Sequence, residues 1–201
     1  MRKKIGILGG TFDPFHKGHF LLAKTAYEQF SLDEVWIMPN GNPPHKKNIE
    51  QTDFEIRCEM IRIAIDNEEY MKLCDVEGSD ENYHYTYQTL EYFRSLYPEN
   101  ELYFIIGADS LNDFPTWREP GKITKLCTLL VACRDDDGIF ELQEKICEMK
   151  ELFGGEFYIL NSPKFDAASK EIRKMIKANN DVTEVLAENV ITYIRTNHLY
   201  R

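Results

Sequence analysis

What the chain lacks narrows it first. Its five cysteines are odd in number, scattered, and contain no C-x-x-C pair. A disulfide framework and a cysteine zinc site are therefore not expected, and reduced thiols in a cytoplasm are. No apolar run approaches the ~18 residues of a membrane span. Arg2-Lys3-Lys4 is followed by only a short apolar stretch before Gly9, which is too little for a secretory leader. Basic charge is scarce: 24 Lys and Arg against 34 Asp and Glu leave a net charge of −10, which argues against a nucleic-acid backbone as the main partner. Internal repeats and low-complexity segments are absent. So are two common phosphate motifs: no G-x-x-x-x-G-K-[ST] is present, and Gly6, Gly9 and Gly10 do not make G-x-G-x-x-G. What remains is 201 residues, 43% of them hydrophobic, enough for one α/β domain with a real core.

The most informative stretch that is present runs Gly9-Gly10-Thr11-Phe12-Asp13-Pro14-Phe15-His16-Lys17-Gly18-His19. It follows Lys4-Ile5-Gly6-Ile7-Leu8, which reads as a buried strand, and precedes residues 20–30, whose apolar residues recur at helical spacing. A strand, a glycine turn and a helix start expose main-chain N–H groups and the positive end of a helix dipole, where phosphates bind. His16 and His19 lie three apart, so both rings can project from one face.

Further along, Glu34-Val35-Trp36-Ile37-Met38 reads as a second strand, running into the turn-rich basic loop Pro39-Asn40-Gly41-Asn42-Pro43-Pro44-His45-Lys46-Lys47-Asn48. Thr52-Asp53-Phe54-Glu55 has the form of a capping box with Thr52 at the cap. Residues 70–75 form a short third strand, and Glu77 to Asn82 an acidic loop without evident chemistry. A helix starts in the tyrosine cluster Tyr83 to Leu90, then Leu102 to Gly107 is the clearest buried strand. Asp109 follows it, either as a helix N-cap or as a crevice residue. Residues 128–133 and 156–160 are two more strands, flanking a helix over 139–153. Asp135-Asp136-Asp137-Gly138 lacks the ligand pattern of a calcium loop and reads as an acidic turn. A helix opens at Ser169, and Asp181-Val182-Thr183-Glu184 caps a final helix. The alternation predicts an α/β fold, a Rossmann-like doubly wound parallel sheet, as one domain over 1–201 with a small helical C-terminal part from about 162.

Gly9-Gly10-Thr11-Phe12-Asp13-Pro14 with His16-Lys17-Gly18-His19 resembles the signature of the H-x-G-H nucleotidyltransferases, and most closely the bacterial nicotinate mononucleotide adenylyltransferases. Pro43-Pro44-His45-Lys46, Tyr85-Thr86 with Thr89-Leu90, Gly107-Ala108-Asp109 and Pro115-Thr116-Trp117 extend the resemblance over nearly the whole chain. It implies transfer of the AMP part of ATP to nicotinate mononucleotide, giving deamido-NAD and pyrophosphate, with Mg2+ carried by the triphosphate. ATP would meet Gly9, Gly10, Thr11, Phe12, His16, His19, Gly107, Asp109, Ser169, Ile172 and Arg173. The mononucleotide would meet Asn40, Lys46, Thr86, Trp117 and Arg118, with the indole stacked on the pyridine ring. His16, His19, Lys46 and Arg173 would supply the catalytic donors. Near the C-terminus the family pattern Ile-Ser-Ser-Thr-x-Ile-Arg is matched by Ser169, Ile172 and Arg173, while Ala167, Ala168 and Lys170 depart from it. Two alternatives stay open: another phosphorylated acceptor such as nicotinamide mononucleotide, and a nucleotide-binding protein without turnover. The resemblance also implies a cytoplasmic enzyme, possible homodimers, and no membrane or nucleic-acid partner.

Overall fold

The computed structural model describes residues 2–41, 51–78, 85–133, 138–165 and 167–201. Six strands form one sheet: β1 (Lys4–Gly10), β2 (Glu34–Pro39), β3 (Met71–Leu73), β4 (Glu101–Gly107), β5 (Thr128–Cys133) and β6 (Phe157–Asn161). Their spatial order is β3-β2-β1-β4-β5-β6, and every pairing is parallel. Parallel neighbours need crossovers, supplied by α1 (Lys17–Phe30), α2 (Phe54–Ile65), α3 (Thr86–Leu96), α4 (Ala108–Asp113), α5 (Pro120–Leu126) and α6 (Ile139–Phe153). The order reverses between β1 and β4, and at such a switch point the loops leaving the carboxyl ends of two neighbouring strands part to form a crevice.

The central strands are apolar nearly throughout because helices cover both faces. Side chains alternate between two cores. Ile7, Phe104, Leu129 and Val131 face one side, with Leu90 and Phe93 of α3 and Ile146 and Met149 of α6. Leu8, Ile37, Ile105 and Leu130 face the other, with Ala23 and Ala26 of α1 and Ile61 of α2. A third cluster joins Met60 of α2 to Ile172 of α7 (Ser169–Lys177) and to Val190, Ile191 and Ile194 of α8 (Glu188–Thr196). The C-terminal helices thus close their apolar face on the sheet's own helix layer.

Several local expectations shift. Asp53, not Thr52, is the N-cap of α2. The Thr52 main chain is otherwise engaged, its N–H donating to Asp13 Oδ2 at 3.2 Å and its carbonyl accepting from Arg57 Nε at 3.0 Å. The last helix begins at Glu188 instead of near Asp181. Asp181 Oδ1 accepts the Thr183 N–H at 2.9 Å, and the amides of Val185 and Leu186 return to the Val182 carbonyl, which spends the local capping signal on a turn. Helix α5, opened by Pro120 at its first position, is an addition to the sequence-based expectation. Asp109 lies inside the first turn of α4, whose N-cap is Gly107.

Candidate active site

The carboxyl ends of β1, β2, β4 and β5 surround a cavity of about 870 Å3, within the usual size range of small-molecule sites. Leu8, Gly9 and Gly10 of β1 and Ile105, Ile106 and Gly107 of β4 line it side by side, on the two neighbouring strands at the switch point. Asn40, Glu77, Tyr85, Thr86, Trp117 and Arg118 also line it, as do Ala167, Ala168 and Ser169 at the start of α7.

The histidine pair is built by the turn that precedes it. Phe12 takes a left-handed φ of 50° and is 2% exposed, its ring folded beneath the loop. A Cβ on Gly10 would stand 2.8 Å from that ring, so glycine is needed there for internal packing. His16 is the N-cap of α1 and His19 sits one turn on. The His16 N–H donates to His19 Nδ1 at 3.3 Å, and the His19 N–H returns to the His16 carbonyl at 2.9 Å. The two rings stack with centroids 3.6 Å apart. Phe12 meets the His19 ring edge-on at 4.8 Å, and Phe165 lies nearly parallel to His16 at 5.2 Å. An acceptor at Nδ1 puts the proton of a neutral imidazole on Nε2, so His19 carries an N–H donor on its far side. Gly18 is explained by the same stack, because a Cβ there would collide with the Phe165 ring.

The helix starts differ in what they offer. At α1, the Lys17 N–H already donates to the Val185 carbonyl at 3.0 Å. At α3, Thr86 and Tyr87 occupy the first two helical positions, where no preceding helical carbonyl accepts their N–H groups. At α7 the N-cap is Ala168, which has no side-chain acceptor, and Ser169 spends its hydroxyl on the Pro14 carbonyl at 3.0 Å. This leaves main-chain N–H groups as the donors that α7 presents.

The other expected residues divide. Gly9, Gly10, Thr11, Phe12, His16, His19, Asn40, Thr86, Gly107, Asp109, Trp117, Arg118 and Ser169 all line the cavity. Trp117 is half-buried, packed edge-on to Phe104 at 6.3 Å, and still on the wall. Ile172 does not line it: its side chain is fully buried in the C-terminal core, and its N–H is bonded to the Ala168 carbonyl at 3.0 Å. Ile172 anchors α7 in that core. Arg173 is likewise off the wall, its Nη1 donating to the Asp13 carbonyl at 2.5 Å and lying 4.0 Å from Asp13 Oδ2. Here it braces the loop that carries the histidines. Lys46 and the rest of the Pro-Pro-His-Lys element, and the acidic turn at Asp135 to Asp137, lie outside the described residues.

Four residues that the sequence did not single out support the site. Glu77, expected in an inert acidic loop, is 6% exposed on the cavity wall and accepts from Thr89 Oγ1 at 2.9 Å. Phe165 covers His16. Tyr200 donates to Asp13 Oδ1 at 2.6 Å, and burial followed by the Asp13 charge pushes its hydroxyl pKa upward, so it stays a neutral donor. Arg57 is 1% exposed beneath the loops. Only Arg57 had a visible signal, since it precedes Met60 and Ile61 by three and four residues and so shares their buried helical face.

The chain has counterparts among known proteins. Residues 7–187 match the family model described as Cytidylyltransferase-like. A Clostridium tetani protein described as "Probable nicotinate-nucleotide adenylyltransferase" is 36% identical, the match covering 99% of this chain and 100% of that one. The solved structure "Plasmodium falciparum nicotinic acid mononucleotide adenylyltransferase complexed with NaAD" superposes with a TM-score of 0.80 at 25% identity, over 99% of this chain and 98% of that one. The same enzyme complexed with APC gives a TM-score of 0.79 at 25% identity over the same shares.

Proposed function

Since the chain belongs to the cytidylyltransferase-like family, and within it to the nicotinate-nucleotide adenylyltransferases, we propose that it joins nicotinate mononucleotide to the AMP part of ATP. The products are deamido-NAD and pyrophosphate, a step of NAD biosynthesis. The observation that carries this proposal is the stacked imidazole pair at the switch point, with His19 Nδ1 held by a main-chain N–H. A ring fixed in that tautomer aims an N–H donor without needing to reorient during the reaction.

The mononucleotide phosphate attacks the α-phosphorus of ATP in line, forming one P–O bond as the bond to the pyrophosphate oxygen breaks. The attacking oxygen is already anionic, so no side-chain nucleophile or base is required. The chain's work is to position the substrates and to stabilise charge. His16, His19 and the α7 amides face the triphosphate; Asp109 and Gly107 belong to the ATP side. Asn40, Thr86, Trp117 and Arg118 form the acceptor end. There the nicotinate carboxylate receives the first-turn N–H groups of α3, where dipole and donors both favour an anion. Lys46 is assigned to phosphate on resemblance alone.

A divalent cation fits as a companion of the triphosphate. Among the described residues no group of three or more His, Cys, Asp or Glu could hold a metal, and Asp109 is a single carboxylate on the wall. Such a donor set suits Mg2+ bound through phosphate oxygens and water. Such an ion would supply positive charge against the departing pyrophosphate. The five cysteines form no disulfide, which suits a reducing cytoplasm, and among the described residues no helix is long and apolar enough to cross a membrane.

The test is pyrophosphate release from ATP and Mg2+ with nicotinate or nicotinamide mononucleotide as acceptor. Faster turnover of the nicotinate form, with deamido-NAD formed, is expected. No release with either acceptor would refute catalysis, and a preference for nicotinamide mononucleotide would refute the acceptor assignment.

A further inference from the structure

Arg57 leads the largest fully buried side chains among the described residues, yet its hydrogen bonds there go to main-chain carbonyls and not to a carboxylate. Its Nη1 donates to the Thr11 carbonyl at 2.7 Å, its Nη2 to the Asn40 carbonyl at 2.9 Å, and its Nε to the Thr52 carbonyl at 3.0 Å. The Gln51 amide, turned oxygen-first, adds an acceptor 3.0 Å from Nη2. Thr11 belongs to the loop after β1, on the ATP side, and Asn40 follows β2 at the acceptor end; both line the cavity. The Asn40 N–H also donates to the Gly10 carbonyl at 2.8 Å, so the two segments are already adjacent and the guanidinium fixes their spacing. Burial lowers the Arg57 pKa, the Asp13 charge partly offsets this, and a guanidinium keeps its proton in such a place. An apolar side chain of similar volume would fill the space, but it would leave three carbonyls without their donor and the loops without their tie.

The geometry points to Arg57 as the positioning residue that sets the distance between the two substrates, because its planar fork joins the ATP-side loop at Thr11 to the acceptor-side segment at Asn40. This rests on the assignment of the two cavity ends given above. In-line transfer needs the reacting atoms about 3–3.5 Å apart and aligned, and a misplacement of about 1 Å costs on the order of 100-fold in rate. Arg57 itself touches neither substrate, so its loss should spare the binding of each one alone and fall on turnover.

The test compares the full chain with Arg57→Lys, which keeps the charge but not the fork, and Arg57→Met, which keeps most of the stem. Amide hydrogen exchange without substrate should rise in residues 9–16 and 38–41 and stay unchanged in β4. ATP and nicotinate mononucleotide, titrated separately, should bind within about 3-fold of the parent. The turnover number per folded molecule should fall about 100-fold in Arg57→Met and about 10-fold in Arg57→Lys. If Arg57→Met does not fold, Arg57→Lys decides by the same measurements. Unchanged turnover per folded molecule, or faster exchange spread evenly over the chain, overturns the proposal. A parent without turnover would refute the proposed activity instead. The exchange arm would still decide: acceleration confined to the two segments supports the brace, and unchanged protection there overturns it.

Discussion

The role proposed for His19 divides between its two nitrogens, and the two parts can be separated. Its Nδ1 accepts the His16 N–H at 3.3 Å, which holds the start of α1, and its Nε2–H is the donor assigned to phosphate. In His19→Asn the amide oxygen can replace Nδ1, while the shorter side chain has no group at the Nε2 position. In His19→Gln the longer amide can reach the Nε2 position but does not reproduce the Nδ1 contact. Removing a pre-aimed donor costs about 3 kcal/mol in the transition state, or ~100-fold in turnover. The Phe12 edge contact at 4.8 Å is lost in both variants, at about 1 kcal/mol, which lowers the melting temperature by roughly 2–4 °C for a chain of this size. Initial rates of pyrophosphate release over a grid of both substrates, with calorimetric binding of ATP, measure the two effects apart. Turnover is expected to fall about 100-fold in His19→Asn and clearly less in His19→Gln, with ATP affinity changed only a few-fold in either. Equal turnover in the two variants, or an Asn variant within 3-fold of the parent, would refute the donor role.

Three further outcomes are expected. A Cβ on Gly107 meets nothing within 4 Å, and the residue lines the cavity at a negative φ of −80°; Gly107→Ala should therefore stabilise the free protein by about 0.4–1 kcal/mol while weakening ATP binding, and an unchanged ATP affinity would show that no ligand approaches there. Ala168 is an N-cap with extended φ −94° and ψ 153°, so Ala168→Ser should raise stability by about 1 kcal/mol and tighten ATP, which thermal melts and a Michaelis constant for ATP check. Burial pushes the Cys58 and Cys74 thiols up to about 11 and Cys127 up to about 12, whereas Cys147 is exposed. Since raised thiol pKa values favour the neutral form in the fold, that stabilisation is full below the ordinary thiol pKa and is lost as pH rises toward 12. A disulfide reagent at pH 8 should find one fast thiol in the native protein and all five after unfolding.

The sequence by itself determined the sheet and the pairing of the two histidines. Lys4–Gly10, Glu101–Gly107 and Thr128–Cys133 are short, largely apolar runs, and burial on both faces of a parallel sheet requires such runs. His16 and His19 share a face because a helical turn brings residues three apart together, and the measured stack at 3.6 Å is the direct consequence. These features depend on neighbours within a few residues, so a pattern reveals them. Tertiary structure alone decided the rest. Arg173 turned from the cavity to Asp13 across 160 residues of sequence, and Tyr200 joined the same carboxylate across 187. Phe165 found Gly18 and His16 from the far end of the chain, and Glu77 left an acidic run to be buried against Thr89. No periodicity encodes which carbonyl a buried guanidinium will meet. That choice is fixed only when separate loops are packed together and every buried donor must find an acceptor.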